Sequence, residues 1–377
     1  MAFREPSFTI GIEEEYLLVD RQTRDLVLSP PDALMEACGR ELRGQVSPEF
    51  LQCQIEVGTT ICNSVAEARN DLKRLRKTIG RLALDHGLAA IAASTHPFAR
   101  WGNQKHTERE RYALLARDLQ VVGRRMLICG MHVHVCIEDE DLRTDLFNQL
   151  PYFLPHLLAL TTSSPFWQGH NSGLKSYRLN VFDALPRTGL PPEFGSFGEY
   201  ERTVRVLVDA GLIEDATKVW WDLRPSARFP TLEMRICDVC TRLEDAICVA
   251  AFFLCITRML YRLRRNNQRW RSYSRFLINE NRWRAQRYGF DEGLIDFGIG
   301  QVVPYAELLE ELVQLVEPDA EHFGCVAEVE HARVILARGT SADRQLRVFD
   351  EAVNDGASQE EALRAVVDDL VEETLAA

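Results

Sequence analysis

Several familiar signatures are missing from this chain, and each absence removes a class of function. There is no Gly-x-x-x-x-Gly-Lys-Ser/Thr loop and no Gly-x-Gly-x-x-Gly after a strand, so the two commonest backbone cradles for phosphate are unavailable. Any phosphate would have to be held by metals and arginines. Residues 1–7 carry Arg4, Glu5 and Pro6 and run straight into a strand pattern, without the apolar core or cleavage pattern of a signal peptide. The longest apolar run, 246–257, falls short of the ~20 residues that cross a bilayer and reads as a buried helix. No internal repeat or low-complexity linker divides the sequence. Positive charge is scarce: 44 Lys and Arg face 56 Asp and Glu, for a formal net charge of -12. That balance, with no nucleic-acid motif, argues against an RNA or DNA partner. Ten arginines interleaved with Trp270, Tyr273, Phe276, Trp283 and Tyr288 between 258 and 288 therefore read as a solvated helix face or a phosphate-facing patch.

What is present is an ordinary globular composition, 377 residues with 46% hydrophobic and 27% charged, ample for a large core. Ten cysteines without a secretion signal predict reduced thiols in the cytoplasm. Cys237-x-x-Cys240 stands alone, and core packing suits it better than a redox pair or half a zinc site.

Four stretches carry chemistry. In Phe-Thr-Ile-Gly-Ile-Glu-Glu-Glu-Tyr (8–16) and Gly-Met-His-Val-His-Val (130–135), strand alternation puts Glu13 with Glu15, and His132 with His134, on one sheet face at ~6.5–7 Å. Carboxylates gathered that closely repel one another unless a cation neutralises them. Taken alone, each pair is equally compatible with a solvated strand face and a satisfied core histidine. In Thr-Leu-Glu-Met-Arg-Ile-Cys-Asp (231–238), Glu233 and Arg235 share a face opposite Leu232, Met234 and Ile236. Glu233 can ligate a metal, and the Arg235 fork suits a phosphate or carboxylate. In Pro-Glu-Phe-Leu-Gln-Cys-Gln-Ile-Glu-Val-Gly-Thr (48–59), Gln52, Gln54 and Glu56 share a face. Glu49 is out of phase with Glu56 and joins it only across a bend.

The periodicities predict strands near 8–19, 25–28, 52–59, 88–94, 131–137, 177–182, 218–223 and 231–237, the first two forming a hairpin. A helix enters through the capping box Ser64-x-x-Glu67, carries the stripe Leu72, Leu75, Ile79 and Leu82, and ends at Gly87. Beyond about 300 the pattern is helical, with Thr340-x-x-Asp343 and Ser358-x-x-Glu361 as helix starts. The segment 165–198, containing Trp167, His170, Lys175, Arg178 and Arg187, is expected to be a long substrate loop. Because the candidate ligands run from 13 to 235, one catalytic domain over 1–377 is expected, with 300–377 as its helical cover.

Together the motifs Ile-Glu-Glu-Glu-Tyr, Glu49 with Glu56, Gly-Met-His-Val-His and Glu233-Met-Arg235 fall in an order that resembles the carboxylate-amine ligases of the glutamate-cysteine ligase type 2 family, within the glutamine synthetase-like superfamily. The likeness continues through Asn-Ser-Gly-Leu-Lys-Ser-Tyr-Arg (171–178), Asn-Arg-Trp-Arg-Ala-Gln-Arg-Tyr-Gly (281–289) and Gly-Thr-Ser-Ala-Asp-Arg-Gln (339–345). This resemblance implies an α+β fold whose curved, mostly antiparallel sheet forms a funnel covered by helices. It implies ATP and Mg2+ or Mn2+ as cofactors, with Glu13, Glu15, Glu49, Glu56, His132 and Glu233 as metal ligands. Arg235 would face the transferred phosphoryl group beside Glu233, His134 would touch ATP phosphates, and Arg178 and Arg187 would bind substrate. The implied reaction joins the γ-carboxyl of glutamate to an amine such as cysteine through an acyl phosphate.

Two rivals stand beside it. A metal-dependent hydrolase would explain His132-x-His134 but leaves the glutamates and Arg235 unused, and a metal or amino-acid binding protein without catalysis would use them for binding alone. The expected partners are small molecules, with neither nucleic acid nor membrane, and a homodimer is left open.

Overall fold

The structure, a computed structural model, describes residues 4–376, apart from the side chain at position 111. Positions 1–3 of the opening stretch and position 377 lie outside the described residues.

The frame is a seven-stranded sheet whose centre is β1 (Ile10–Asp20). Its strand order is β2 (Val46–Pro48), β3 (Gln54–Gly58), β1, β5 (Met131–Cys136), β9 (Thr231–Met234), β8 (Leu223–Pro225), with β4 (Leu88–Ile91) also paired to β1. Every ladder is antiparallel. Glu13 is paired with Gly58 of β3 and with His132 of β5, so these strands flank β1 on opposite edges. Two ribbons lie apart: β6 (Phe166–Trp167) with β7 (His170–Asn171), and β10 (Leu294–Asp296) with β11 (Gln301–Val303).

Alternation along β1 divides the molecule. Glu14 points away from Glu13 and Glu15, is fully buried, and receives the Arg76 fork at 2.6 and 2.8 Å. Arg76 sits on the helix Val65–Asp85 and also donates to the carbonyls of Cys240 and Thr241. A buried charge this well satisfied ties the sheet to its helical layer. The same helix begins as expected, with the Ser64 side chain accepting from the Glu67 N–H, and it buries Leu72, Leu75, Ile79 and Leu82. Each such leucine contributes on the order of 1.5–3 kcal/mol. Gly87, at φ +73°, follows the helix end in a conformation that only glycine takes without strain.

The apolar run becomes the helix Leu243–Arg265, long and apolar enough by length to cross a membrane but mostly buried in the protein. It packs on β5 and on the helices Val65–Asp85, Leu154–Thr161, Tyr305–Phe323 and Val326–Arg338. The last third is helical, and the capping boxes at Thr340/Asp343 and Ser358/Glu361 both form. All ten cysteines are free and buried, Cys237 and Cys240 among them.

Three expected strands differ. Residues 177–182 form a helix, Tyr177–Phe182. Apolar and polar residues alternate there with period two, but the segment is short, and Ser164 and Ser176 are both bonded to the buried Asp238 carboxylate, which imposes the turn. The 218–223 strand shrinks to β8, because the N–H groups of Trp220 and Asp222 bond to the carbonyls of Arg187 and Gly189 rather than to a strand. The 25–28 strand is reduced to a single bridge between Val19 and Leu26. Three arginines of the arginine-rich segment are neutralised within the protein: Arg258 and Arg262 pair with Asp319, and Arg282 pairs with Asp183 and Asp222.

Candidate functional site

Register across the sheet assembles the site. One rung places Ser47, Glu56 and Glu15 side by side, the next places Glu13 beside His132, and a third aligns His134, Glu233 and Arg224. All project to the face opposite Glu14 and line a cavity of about 470 Å³, together with Glu49, Arg178 and Arg235. Glu49 reaches it because the chain bends between β2 and β3, and its carboxylate accepts from the Phe50 N–H at 2.7 Å.

Two groups of ligand-type atoms result, each with its members within 4.8 Å of one another: Glu15, Glu49 and Glu56, and Glu13, His134 and Glu233. The first group is crowded with negative charge. Burial, then the neighbouring Glu56, pushes Glu15 up to about 7. Burial, then Glu15, pushes Glu49 up to about 6, and burial with Glu49 and Glu13 raises Glu56 well above the usual carboxylate range. The second group is balanced by cations. Burial opposes ionisation of Glu13 and Glu233 but is overcome, for Glu13 by the adjacent His132 and His134 imidazoles and for Glu233 by the charges of Arg235 and Arg224, so both lie below the ordinary value.

Glu233 is 2% exposed and carries the second group. Arg224 grips it with two bonds of 2.7 and 3.0 Å, and Arg235 donates to it from the other side. His132 is buried, its Nδ1 lies 3.2 Å from Glu13 Oε2 and 3.4 Å from an Arg235 nitrogen, and burial followed by the Arg235 charge lowers it to about 4. His134 Nδ1 bonds the Thr231 hydroxyl at 3.0 Å, while its buried Nε2 has no hydrogen-bond partner and faces Glu13 Oε1 at 3.6 Å. Thus His134 groups with Glu13 and Glu233, where His132 was expected among the ligands and His134 at the phosphates. An orphaned imidazole nitrogen beside two carboxylates, and a triad of carboxyl groups resisting ionisation, both fit divalent cations with oxygen-rich coordination.

Arg178 lines the cavity from the helix Tyr177–Phe182 and is 2% exposed. Its fork reaches the carbonyls of Arg235 and Ile236, and its buried Nε is unpartnered. A Cβ at Gly130 would lie 2.4 Å from its guanidinium, so a side chain there would push Arg178 from its present place. Arg187 does not line the cavity; its Nε donates to the Lys218 carbonyl and its guanidinium rests on the Trp220 ring. Lys175 is likewise elsewhere, paired with Asp291 and Asp343. The sequence reading missed Arg224, Lys218 and the β8–β9 loop residues Arg228 and Phe229, all of which line the cavity. The signal for Arg224 was present in the hairpin spacing, since Arg224 and Glu233 are cross-strand partners either side of a short loop.

The profile of glutamate-cysteine ligase family 2 matches residues 9–369. The chain belongs to that family. A relative from Rhodospirillum rubrum, provisionally named glutamate-cysteine ligase 2, is 67% identical over 377 residues, covering 99% of this chain and 97% of its own. One from Jannaschia sp., named in the same provisional way, is 60% identical and covers 98% of each chain. Among solved structures, the glutamate-cysteine ligase of Francisella tularensis, in complex with AMP, superposes with a TM-score of 0.70 at 13% identity over 100% of this chain and 91% of its own. The glutamate-cysteine ligase fold expected from the sequence, an antiparallel sheet with a helical C-terminal region, is therefore the one observed, and membership of family 2 makes the chain a carboxylate-amine ligase.

Proposed function

We propose that this ligase is ATP-dependent and couples the γ-carboxyl of glutamate to an amine such as that of cysteine through an acyl phosphate. The observation that carries the reading is the division of one cavity into a carboxylate triad and a cation-balanced group, with Arg235 beside Glu233 at the latter. A carboxylate does not condense with an amine at neutral pH. It first attacks the γ-phosphorus of ATP, forming an O–P bond as the bond to ADP breaks. The amine nitrogen then attacks the acyl carbon, and phosphate leaves.

The chain's own groups would divide this work between them. Glu13, His134 and Glu233 would hold one cation group, and Glu15, Glu49 and Glu56 another, with His132 orienting Glu13. Mg2+ or Mn2+ there would supply charge neutralisation for phosphate oxygens. Lys218, Arg224 and Arg228 make the β8–β9 end basic, which suits a triphosphate, and Phe229 offers an exposed ring near His134. Arg235 would stabilise the charge that spreads over the transferring phosphoryl oxygens. Arg178, with an unspent buried Nε, would bind the substrate carboxylate. No protein nucleophile is required. The hydrolase alternative leaves the glutamate triad and Arg235 without a task.

The test is ADP release by the purified protein with ATP, Mg2+ and glutamate, with and without an amine. ADP should form only when both glutamate and an acceptor are present. ADP release indifferent to the acceptor, or amide hydrolysis without ATP, would overturn the proposal.

A further inference from the structure

Apart from Arg109 at the start of the helix Glu110–Leu119, the wall of the cavity remote from the β8–β9 hairpin is apolar. The helix Glu110–Leu119 presents Tyr112, Leu115 and Leu119 along one face, at positions i, i+3 and i+7. Met126 and Ile128 continue this wall, and all five line the cavity. Its place at the acidic end is set by contacts: Tyr112 donates to the Pro48 carbonyl at 3.0 Å and meets the Phe50 ring edge-on at 5.9 Å, one residue after Glu49. The Ile128 carbonyl accepts from Gln54, two residues before Glu56. Gly123 lets the wall close up, since a Cβ there would come within 3.1 Å of Leu119 Cβ.

Tyr112, Leu115, Leu119 and Met126 pack on the core but are only partly buried. Solvent-accessible apolar side chains inside a concave site mark the place of an apolar ligand group. Glutamate has no such group, and the adenine ring of ATP follows its triphosphate to the basic β8–β9 end, where Phe229 offers a ring. Cysteine offers one methylene and a sulfur, which would leave most of the wall wet.

We infer that the acceptor amine carries an apolar side chain larger than that of cysteine, seated on the wall of Tyr112, Leu115, Leu119 and Met126 with its nitrogen toward the acidic group. This rests on the ligase reading above. The amine arrives as an ammonium ion and loses one proton to water to become nucleophilic. Its lone pair forms the C–N bond as the C–O bond to phosphate breaks, phosphate leaves with that electron pair, and the remaining excess proton passes to phosphate or water. An added methylene in an apolar pocket changes specificity by roughly 10- to 200-fold, so the preference should be easy to read.

The experiment measures ADP release by the full chain with ATP, Mg2+ and glutamate, offering cysteine, leucine, isoamylamine, 2-phenylethylamine or hydroxylamine. At least one of the apolar amines should exceed cysteine in kcat/KM by about 10-fold or more, and the contrast of leucine with isoamylamine tells whether a second carboxylate is also recognised. In Leu115→Asn the ratio of kcat/KM for isoamylamine to that for hydroxylamine should fall about 10-fold, and Leu119→Asn gives a second reading if the first variant does not fold. Preference for cysteine over every apolar amine, with hydroxylamine still turned over, would overturn the inference and leave the ligase reading standing. An unmoved ratio in both variants would overturn it too. No ADP with any acceptor, hydroxylamine included, would remove the ligase reading and the inference with it.

Discussion

Glu13 and Glu15 lie two residues apart on one face of one strand, yet their carboxyl groups are driven in opposite directions, Glu13 below the ordinary value and Glu15 up to about 7. Burial raises both. The difference comes from neighbours: Glu13 lies between two imidazoles, whereas Glu15 faces Glu56, and the charges of Arg178 and Arg235 do not compensate. The cavity therefore has one end whose charges are balanced by the protein and one whose balance awaits a ligand. Structural ion pairs hold the first end without help. The second stores repulsion that only a cation, or protons, can relieve.

The largest test of this contrast is to take the acid from the balanced end. Glu233→Ala leaves the Arg224 and Arg235 guanidiniums buried without their acceptor, and breaking a buried pair from one side costs about 3–5 kcal/mol. Urea unfolding should show that loss, and ATP-dependent ligation should vanish. A variant as stable as the parent would mean that the arginines find other partners and that this end is not held by Glu233.

Arg235→Lys probes the same end more gently. The charge beside Glu233 is kept but the fork is lost, so turnover should fall by roughly 10²- to 10³-fold with little change in ATP affinity, as for other removed transition-state donors. Steady-state kinetics with nucleotide varied checks it. Full turnover in the lysine variant would withdraw the phosphoryl role from Arg235.

How much of this contrast the sequence discloses depends on which forces set each part. Alternation alone placed Glu13 and Glu15 together, set Glu14 on the opposite face, and joined Glu233 to Arg235, because a pleated strand leaves no other choice. The bend that admits Glu49 was legible as a phase error, and the helix caps as short motifs. Arg224 escaped because β8 is only three residues long and ends in Pro225, too short for a periodicity to show. The partition of His132 and His134 depends on which imidazole nitrogen faces which acid, a matter of strand pairing and not of spacing. The helix at 177–182 and the late start of β8, after Asp222, were set by bonds to Asp238, Arg187 and Gly189, contacts distant enough that local pattern carries no trace of them. Arg187 was drawn in by charge type, but its guanidinium rests on Trp220.

The smallest expected effect isolates the unbalanced end. In an unfolded chain glutamates titrate near ~4.3, whereas in the folded protein Glu49 is held up to about 6, Glu15 up to about 7 and Glu56 above the ordinary range. Between roughly pH 4.5 and 7 these glutamates hold protons in the folded state that they release on unfolding, so their contribution to stability falls as pH rises, while His96, His132 and His156, each lowered by burial to about 4, contribute the opposite slope below about 6.5. The depressed acids Glu13 and Glu233 act at lower pH, where their contribution is lost as pH falls, and do not reverse the slope. Mg2+ should raise the melting temperature more at pH 7.5, where these glutamates are ionised, than at pH 5. Glu56→Gln removes one of the repelling charges and leaves the histidines in place, so without divalent metal its melting temperature should gain on the parent's by on the order of a few degrees from pH 5 to 7.5, and the gain from Mg2+ should shrink. Parallel melting curves for parent and variant across the pH range, with equal gains from Mg2+, would mean that Glu56 neither crowds its neighbours nor holds a cation.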